Sequence, residues 1–474
     1  MRRQYLPLQS LPAWARLNGI VTNGVAFQNL SSSESDTDKG NAIVATEEKS
    51  SHENDSLPQV LLQVPRELVL SLETVQDYSK SDQDFREVLE ACGGFGRTTR
   101  GAIMLFLLVQ ITHSSPDTKL QVGMSSPWSD DEEQQLLRGT SLAAVIEAKI
   151  SSLELEFRRL RQCTENIPWC RQIWWEEGTG SLTEDDWKYV DAAYRSRMVD
   201  LPGSGHAMVP CIDMANHVSG SDVRALYDAD SEGNAILQLR WGKTMRPGEE
   251  VTISYGDEKP ASEMIFSYGF LESDRTEESQ VLLDMRVPKD DPLDFAKNFM
   301  CSEMPGIRLS IVSDAESSSH VSWDSPLVWL ACVNEEDGLH IKEIMSHDGS
   351  EFETSWKEET LTSPHHLREL LAADPSWDIF QLRAVVLLLE KIETQLSHAR
   401  EMNQIVGNLH EEMIQSLFRP EIFSLISQLR KLEGTLLEKV VIDLEKQKTE
   451  LMNSETVINY LIQQSQTEEV EDFS

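Results

Sequence analysis

Three short stretches concentrate residue types that can do chemistry. Pro210-Cys211-Ile212-Asp213-Met214-Ala215-Asn216-His217 sets a carboxylate, an amide and an imidazole close together. Val251-Thr252-Ile253-Ser254-Tyr255-Gly256-Asp257 ends an alternating run on a phenol. Ser267-Tyr268-Gly269-Phe270 adds two more rings. Taken singly, each is ordinary. An Asn-His pair in a loop is usually a turn, a strand-end Tyr usually packs, and Tyr-Gly-Phe after a helix is usually a capped terminus. Their joint occurrence in this order sets them apart. A phenol of ordinary pKa near 10 stays protonated at neutral pH, so Tyr255 suits orienting a reactant better than serving as a base.

The elements that must position these residues can be read from periodicity. Asn41 to Ala45 reads as a short strand, and Val60 to Val64 as another, stopped by Pro65. Between the first ordered residues and these strands, Ser31 to Lys39 is a polar loop. From Phe85 the apolar spacing turns helical, with an apolar helix over Ala102–Ile111 and another over Leu136–Leu160. Thr183 followed by three acids marks a helix start, and Trp187, Val190, Tyr194 and Arg197 fall on neighbouring faces of that helix. Strands return after Gly205, and Val251, Ile253 and Tyr255 share one strand face. Ala261 to Tyr268 reads as a helix stopped by Gly269. A brief mixed stretch follows from about 280. Long amphipathic helices then run from Ser363 to about Gln464, interrupted at Gly407, Pro420 and Gly434.

This order of motifs resembles the SET-domain methyltransferases, in the branch that includes Rubisco large-subunit lysine methyltransferase and the fungal ribosomal-protein lysine methyltransferases. The matching residues are Ser196-Arg197, Pro210 to His217, Ile253-Ser254-Tyr255-Gly256 and Tyr268-Gly269-Phe270. Trp14, Asn18-Gly19 and the stretch Leu61 to Ser71 also look like this branch. The resemblance implies an α+β chain with a β-rich SET domain in two parts, residues 1–90 and 200–275. A helical insertion over 91–199 separates them, and an all-α substrate-binding domain over 280–474 follows. It implies S-adenosylmethionine as cofactor, bound by Gly40, Asn41, Arg197, Asp213, Asn216, His217 and Tyr255. Arg197 matches an arginine near the cofactor carboxylate, Asp213 an acid supporting the Asn-His loop, and Tyr255 the catalytic tyrosine beside the transferring methyl. Val199, Tyr268 and Phe270 match the acceptor channel. At Ala42 the chain departs from the family's Gly-x-Gly, where the absent side chain lets the backbone approach the cofactor. No metal is implied.

The implied reaction is protein-lysine N-methylation. Protein-histidine methylation and a non-catalytic SET-like interaction module are the alternatives. Val199 cannot hydrogen-bond an imidazole, which favours lysine. Gly93-Gly94-Phe95-Gly96 lacks the Lys-Ser/Thr of a phosphate loop and follows no strand.

Composition narrows the partners. The 474 residues carry 80 acids against 42 bases, a net charge of −38, which disfavours a phosphate backbone and an anionic membrane surface. A basic, Lys-rich protein, ribosomal proteins among them, is the sign-matched partner. Residues 271–474 hold 40 acids and 17 bases, so −23 of the charge lies there and −15 in the remainder. The six scattered cysteines include no Cys-x-x-Cys pair, which fits a reducing compartment. A monomer in the cytoplasm or nucleus is expected.

Overall fold

The structure, a computed structural model, describes residues 7–30, 40–52, 58–113, 131–176, 182–287, 289–301, 306–313, 319–346 and 349–471. The polar loop expected over Ser31 to Lys39 lies outside them. The chain forms two compact units. The first comprises Met1–Ser129, Ala148–Glu258 and Ser267–Glu272; the second comprises Asp130–Glu147, Lys259–Phe266 and Ser273–Ser474.

In the first unit an antiparallel sheet runs Val21–Thr22, Gln59–Val64, Ala235–Leu239, Ala225–Ala229. Two sequence-distant segments therefore share one sheet. They also share one core, in which Ile43, Leu62 and Val64 pack with Ile212, Leu237 and Ile253. The strand Asn41–Ala45 pairs with Val25–Asn29, with Asn41 opposite Asn29 and Ala42 opposite Gln28. Between the halves lies a helical insertion with its own core around Phe85, Ile103, Leu108, Trp174 and Trp187. The stretch Gly93-Gly94-Phe95-Gly96 is part of the short helix Gly93–Arg97, and a Cβ on Gly96 would sit 2.4 Å from the Leu89 carbonyl oxygen. Close packing accounts for that glycine.

The helix that carries Arg197 starts as its sequence predicts. Thr183 Oγ1 accepts from the Asp186 amide, and the Asp186 carboxylate accepts from the Thr183 amide. Along the helix Glu184–Arg197, Trp187, Val190 and Tyr194 are buried. Asp191 is fully buried too, and its carboxylate is saturated by Arg100, Lys149 and Arg195. A buried carboxylate needs such partners, and meeting them fixes the helix in place. Arg197 is its last residue, and the strand Met198–Leu201 follows at once.

The helix expected over Leu136–Leu160 is two helices, Asp131–Leu136 and Leu142–Thr164. Gly139 separates them at φ 83°, a left-handed conformation that L side chains resist. A Cβ there would also lie 2.4 Å from the Ala399 backbone.

The second unit is richer in strands than the mixed stretch suggested. Gln280–Asp284, Gly306–Ser313 and Ser319–Asp324 form one antiparallel sheet. Leu339–Ser346, Gly349–Trp356 and Glu359–Thr360 form another. The all-α description holds from Pro364 onward. Buried Ile307 and Leu309 face a core that also takes Leu388 and Ile392 from Trp377–Gly407 and Leu436 and Val440 from Pro420–Met452. Gly407 closes one long helix, the short helix Glu411–Leu417 follows, and Pro420 opens the next long one at its first position. Gly434, read from sequence as an interruption, lies inside an unbroken helix of 33 residues. Flanking Leu432, Glu433, Leu436 and Leu437 are all buried, and their packing outweighs the roughly 1 kcal/mol helix penalty of glycine. No helix among the described residues is long and apolar enough to cross a membrane.

Candidate active site

The site forms in the first unit, where Asn216–His217 pairs in parallel with Thr252–Ile253. Asn216 lies opposite Thr252 and His217 opposite Ile253. The approach to this strand is strained: Cys211 has φ 70°, rare for a residue with a side chain. A one-turn 3-10 helix, Ile212–Met214, follows and sets Asp213 toward Arg197. Arg197 Nη1 donates to Asp213 Oδ2 at 2.8 Å. The adjacent Asp213 charge raises the guanidinium pKa. Arg197 keeps about half its side chain exposed (46%), and its Nε and Nη2 make no hydrogen bond among the described residues.

Asn216 and His217 are held differently. The Asn216 amide donates to Glu250 Oε1 at 2.7 Å. The His217 side chain is 1% exposed, and both ring nitrogens are engaged. Its Nδ1 accepts from the Tyr255 backbone amide at 3.0 Å, while Nε2 faces Glu272 Oε1 at 3.0 Å. The imidazole is thus committed to the fold, and His217 can offer a ligand only its main chain.

Tyr255 is the most constrained group. Its hydroxyl donates to the Ala215 carbonyl at 2.9 Å. Its ring lies against His217 (5.1 Å between centroids, 26° between planes) and Tyr268 (4.6 Å, 37°). Phe270 stands 6.4 Å from both tyrosine rings. Burial pushes the Tyr255 hydroxyl up to about 12. It therefore stays protonated at neutral pH, as a hydrogen-bonding group and not a base. Tyr268 ends the helix Ala261–Tyr268, and Gly269 stops that helix at φ 81°.

The remaining predicted residues lie nearby or at the margin. Val199, on Met198–Leu201, packs against the same core as Tyr255. Gly40 has φ 66°, and a Cβ there would meet nothing within 4 Å. Asn41 is exposed and bonded through its side-chain oxygen to Asn29. Ala42 is fully buried, so its methyl meets protein and does not project toward solvent. Sequence reasoning missed Glu250, Glu272 and Ser219, which hold the Asn-His pair. They sit outside every motif, and nothing local marks them.

No protein-family model matches the chain. Among curated proteins it is 27% identical over 422 residues to SET domain-containing protein 8 of Schizosaccharomyces pombe, covering 86% of this chain and 90% of that protein. Over 94% of its length it superposes on the SET domain of LSMT bound to lysine and AdoHcy, with a TM-score of 0.61 at 17% identity, covering 92% of that structure. The chain thus has the fold of the SET domain of LSMT and is similar in sequence to a SET domain-containing protein. A shorter match, 24% identical over 248 residues, joins the chain to the chloroplastic [fructose-bisphosphate aldolase]-lysine N-methyltransferase of Arabidopsis thaliana, covering 49% of this chain and 48% of that one. The structure of Rubisco LSMT bound to AdoMet matches at a TM-score of 0.60 and 18% identity, covering 94% of this chain and 93% of that one. Of the residues singled out in the sequence, Arg197, Asp213, Asn216, His217, Tyr255, Tyr268 and Phe270 belong to one unit.

Proposed function

We propose that this SET protein transfers methyl groups from S-adenosylmethionine to a lysine of a basic protein, with ribosomal proteins as the leading substrate class. The observation that carries this reading is Tyr255: a partly buried phenol, fixed at both its amide and its hydroxyl, among Tyr268, Phe270 and His217.

The residues present fit the cofactor. The free guanidinium nitrogens of Arg197 suit a carboxylate, in the paired geometry that arginine favours. The positive φ of Gly40 leaves open space beside the main chain. Asn216 and the His217 main chain supply further polar groups on the same strand. When bound, S-adenosylmethionine supplies an electrophilic methyl on a sulfonium, transferred in line to the acceptor nitrogen.

The chain's own part is positioning and exclusion of water. A lysine amine has an ordinary pKa near 10.4 and must be neutral to react. Tyr255, Tyr268 and Phe270 give a poorly hydrated, aromatic surrounding that disfavours the ammonium. Tyr255 oxygen, its proton already directed at the Ala215 carbonyl, keeps lone pairs to orient reactants. The amine proton goes to water. Alignment of this kind accounts for large rate factors without a dedicated base.

Lysine is preferred over histidine because Val199 offers no hydrogen bond to an imidazole. A purely non-catalytic role draws little from Ala42, whose methyl is buried away from the open side. In this reading residues 280–474 dock the substrate. Their acids draw in a basic protein, and the SET protein works as a monomer in the cytoplasm or nucleus.

Calorimetric titration with S-adenosylmethionine, followed by incubation with labelled cofactor and a cell extract, tests the proposal. Saturable binding and label on lysine are expected. No detectable binding would sink it, and label on histidine would replace lysine with the alternative acceptor.

A further inference from the structure

We infer that Glu272 is a positioning residue for Tyr255, acting through His217; the inference rests on the methyltransferase reading above. The chemistry starts from the His217 ring. The Tyr255 backbone amide is a donor, so the Nδ1 atom it meets at 3.0 Å must be the bare nitrogen of the ring. The ring proton of neutral His217 then sits on Nε2. That N–H needs an acceptor, because the side chain is 1% exposed. Glu272 Oε1 provides it at 3.0 Å.

The carboxylate therefore selects the tautomer, as second partners of histidine commonly do. Ser219 Oγ hydrogen-bonds the same carboxylate oxygen and lies 3.2 Å from His217 Nε2. Glu272 is itself held in this position, with its side chain 18% exposed. In the opposite tautomer, the Nδ1–H of His217 and the N–H of Tyr255 would confront each other as two donors in a buried place. Tyr255 would lose its backbone tether, and its ring its stacked neighbour in the present orientation. The influence of Glu272 on Tyr255 runs through the imidazole, which it meets at Nε2 and which Tyr255 meets at Nδ1.

The test uses the full chain and two readouts. Nitrogen-detected NMR of His217 reports the tautomer without need of activity, and labelled-cofactor assays give kcat and KM. The wild type is expected to hold the Nε2–H tautomer. Glu272→Ala should populate the other tautomer and lower kcat about tenfold to a hundredfold, the scale of a misplaced reacting group. KM for S-adenosylmethionine should change less than about threefold, because cofactor groups are left in place. Glu272→Gln keeps an acceptor oxygen and should restore both the tautomer and most of kcat. An Nδ1–H tautomer in the wild type overturns the inference. So does a Glu272→Gln protein that behaves like Glu272→Ala, or an unchanged tautomer and kcat in Glu272→Ala. A wild type that transfers no methyl, yet whose tautomer depends on residue 272, overturns the methyltransferase reading and supports the hold of Glu272 on Tyr255.

Discussion

Each unit of the molecule holds an aromatic cluster, and the two are built on different terms. In the first, Tyr255, Tyr268, Phe270 and His217 meet at mixed angles, and Tyr255 and His217 have their polar atoms tied to named partners. In the second, Trp323, Trp329 and Trp377 lie nearly parallel, with centroids 5.0 and 5.1 Å apart and planes 28° and 27° apart. Beside them is a cavity of about 240 Å³, lined also by Arg368 and Gln381. The indole stack joins two helices and a strand into one core. The difference teaches that aromatic content alone does not mark a reactive site; a polar atom held at a fixed place does. Backbone strain does not separate them: Cys211, at φ 70°, leads into the first cluster, and Lys357, at φ 54°, is strained in the second unit.

The sharpest way to break this comparison is to truncate the middle indole. Trp329 is 4% exposed. Trp329→Ala should cost about 3–5 kcal/mol of stability, the usual range for a buried tryptophan. Denaturant unfolding would read the loss. Cofactor affinity of the protein that remains folded should stay within twofold, and a large drop in affinity would give the tryptophans a role in the site.

Buried polar groups extend the contrast. His217 draws its two partners from separate residues, whereas Glu433 in the second unit, 1% exposed, depends on Ser141 alone for both of its hydrogen bonds among the described residues, from the amide at 2.8 Å and from the hydroxyl at 2.5 Å. Burial raises its carboxyl from the ordinary 4.5 to about 7. A folded-state pKa above the unfolded one means that the proton stabilises the fold. The contribution is complete below about pH 4.5 and fades as pH rises through 7. The second unit should thus lose on the order of 3 kcal/mol between pH 4.5 and 8 from this group. Glu433→Gln should flatten that dependence in thermal unfolding; an unaltered profile would remove Glu433 from the account.

On the catalytic side, Tyr255→Phe removes the hydroxyl and keeps the ring. Turnover should fall about a hundredfold, as when one preorganised hydrogen-bonding group is lost, while cofactor affinity stays nearly constant. A milder effect is expected at Asn216. Asn216→Ala removes the amide that donates to Glu250 and should weaken S-adenosylmethionine about tenfold, or roughly 1.4 kcal/mol, by calorimetry. An unchanged dissociation constant would leave Asn216 a structural residue only.

These sites differ in how far sequence reveals them. Arg197, Asn216-His217 and Tyr255 stand in short runs where a helix end, a loop and a strand each carry local signals. The strand Asn41–Ala45 and the helix Ala261–Tyr268 have the bounds their patterns predict. Glu250 and Glu272 were not legible, because their contacts with Asn216 and His217 span 34 and 55 residues. No periodicity encodes such a pairing. The strands beyond residue 280 were weakly legible. Ile307, Leu309 and Ile311 do alternate in the eight-residue strand Gly306–Ser313, but Gly349–Trp356, of equal length, carries mostly polar residues. Tertiary pairing, more than local preference, completes them.

Gly434 offers the smallest and cleanest test, because here a local preference and the packing pull in opposite directions. Glycine is the poorest helix former after proline, yet the helix Pro420–Met452 runs through this position unbroken. Neither of the usual reasons for a glycine applies. Its φ is not positive, and a Cβ would meet nothing within 4 Å. The contrast is with Gly139, where φ is 83° and a Cβ would collide with the Ala399 backbone. Gly434→Ala should therefore stabilise the second unit by about 0.5–1 kcal/mol, chiefly by restricting the unfolded chain. Gly139→Ala should destabilise it. Denaturant midpoints at constant slope would measure both changes. If Gly434→Ala were destabilising instead, a neighbour must press on that helix face, and the open space beside residue 434 would not be open in solution.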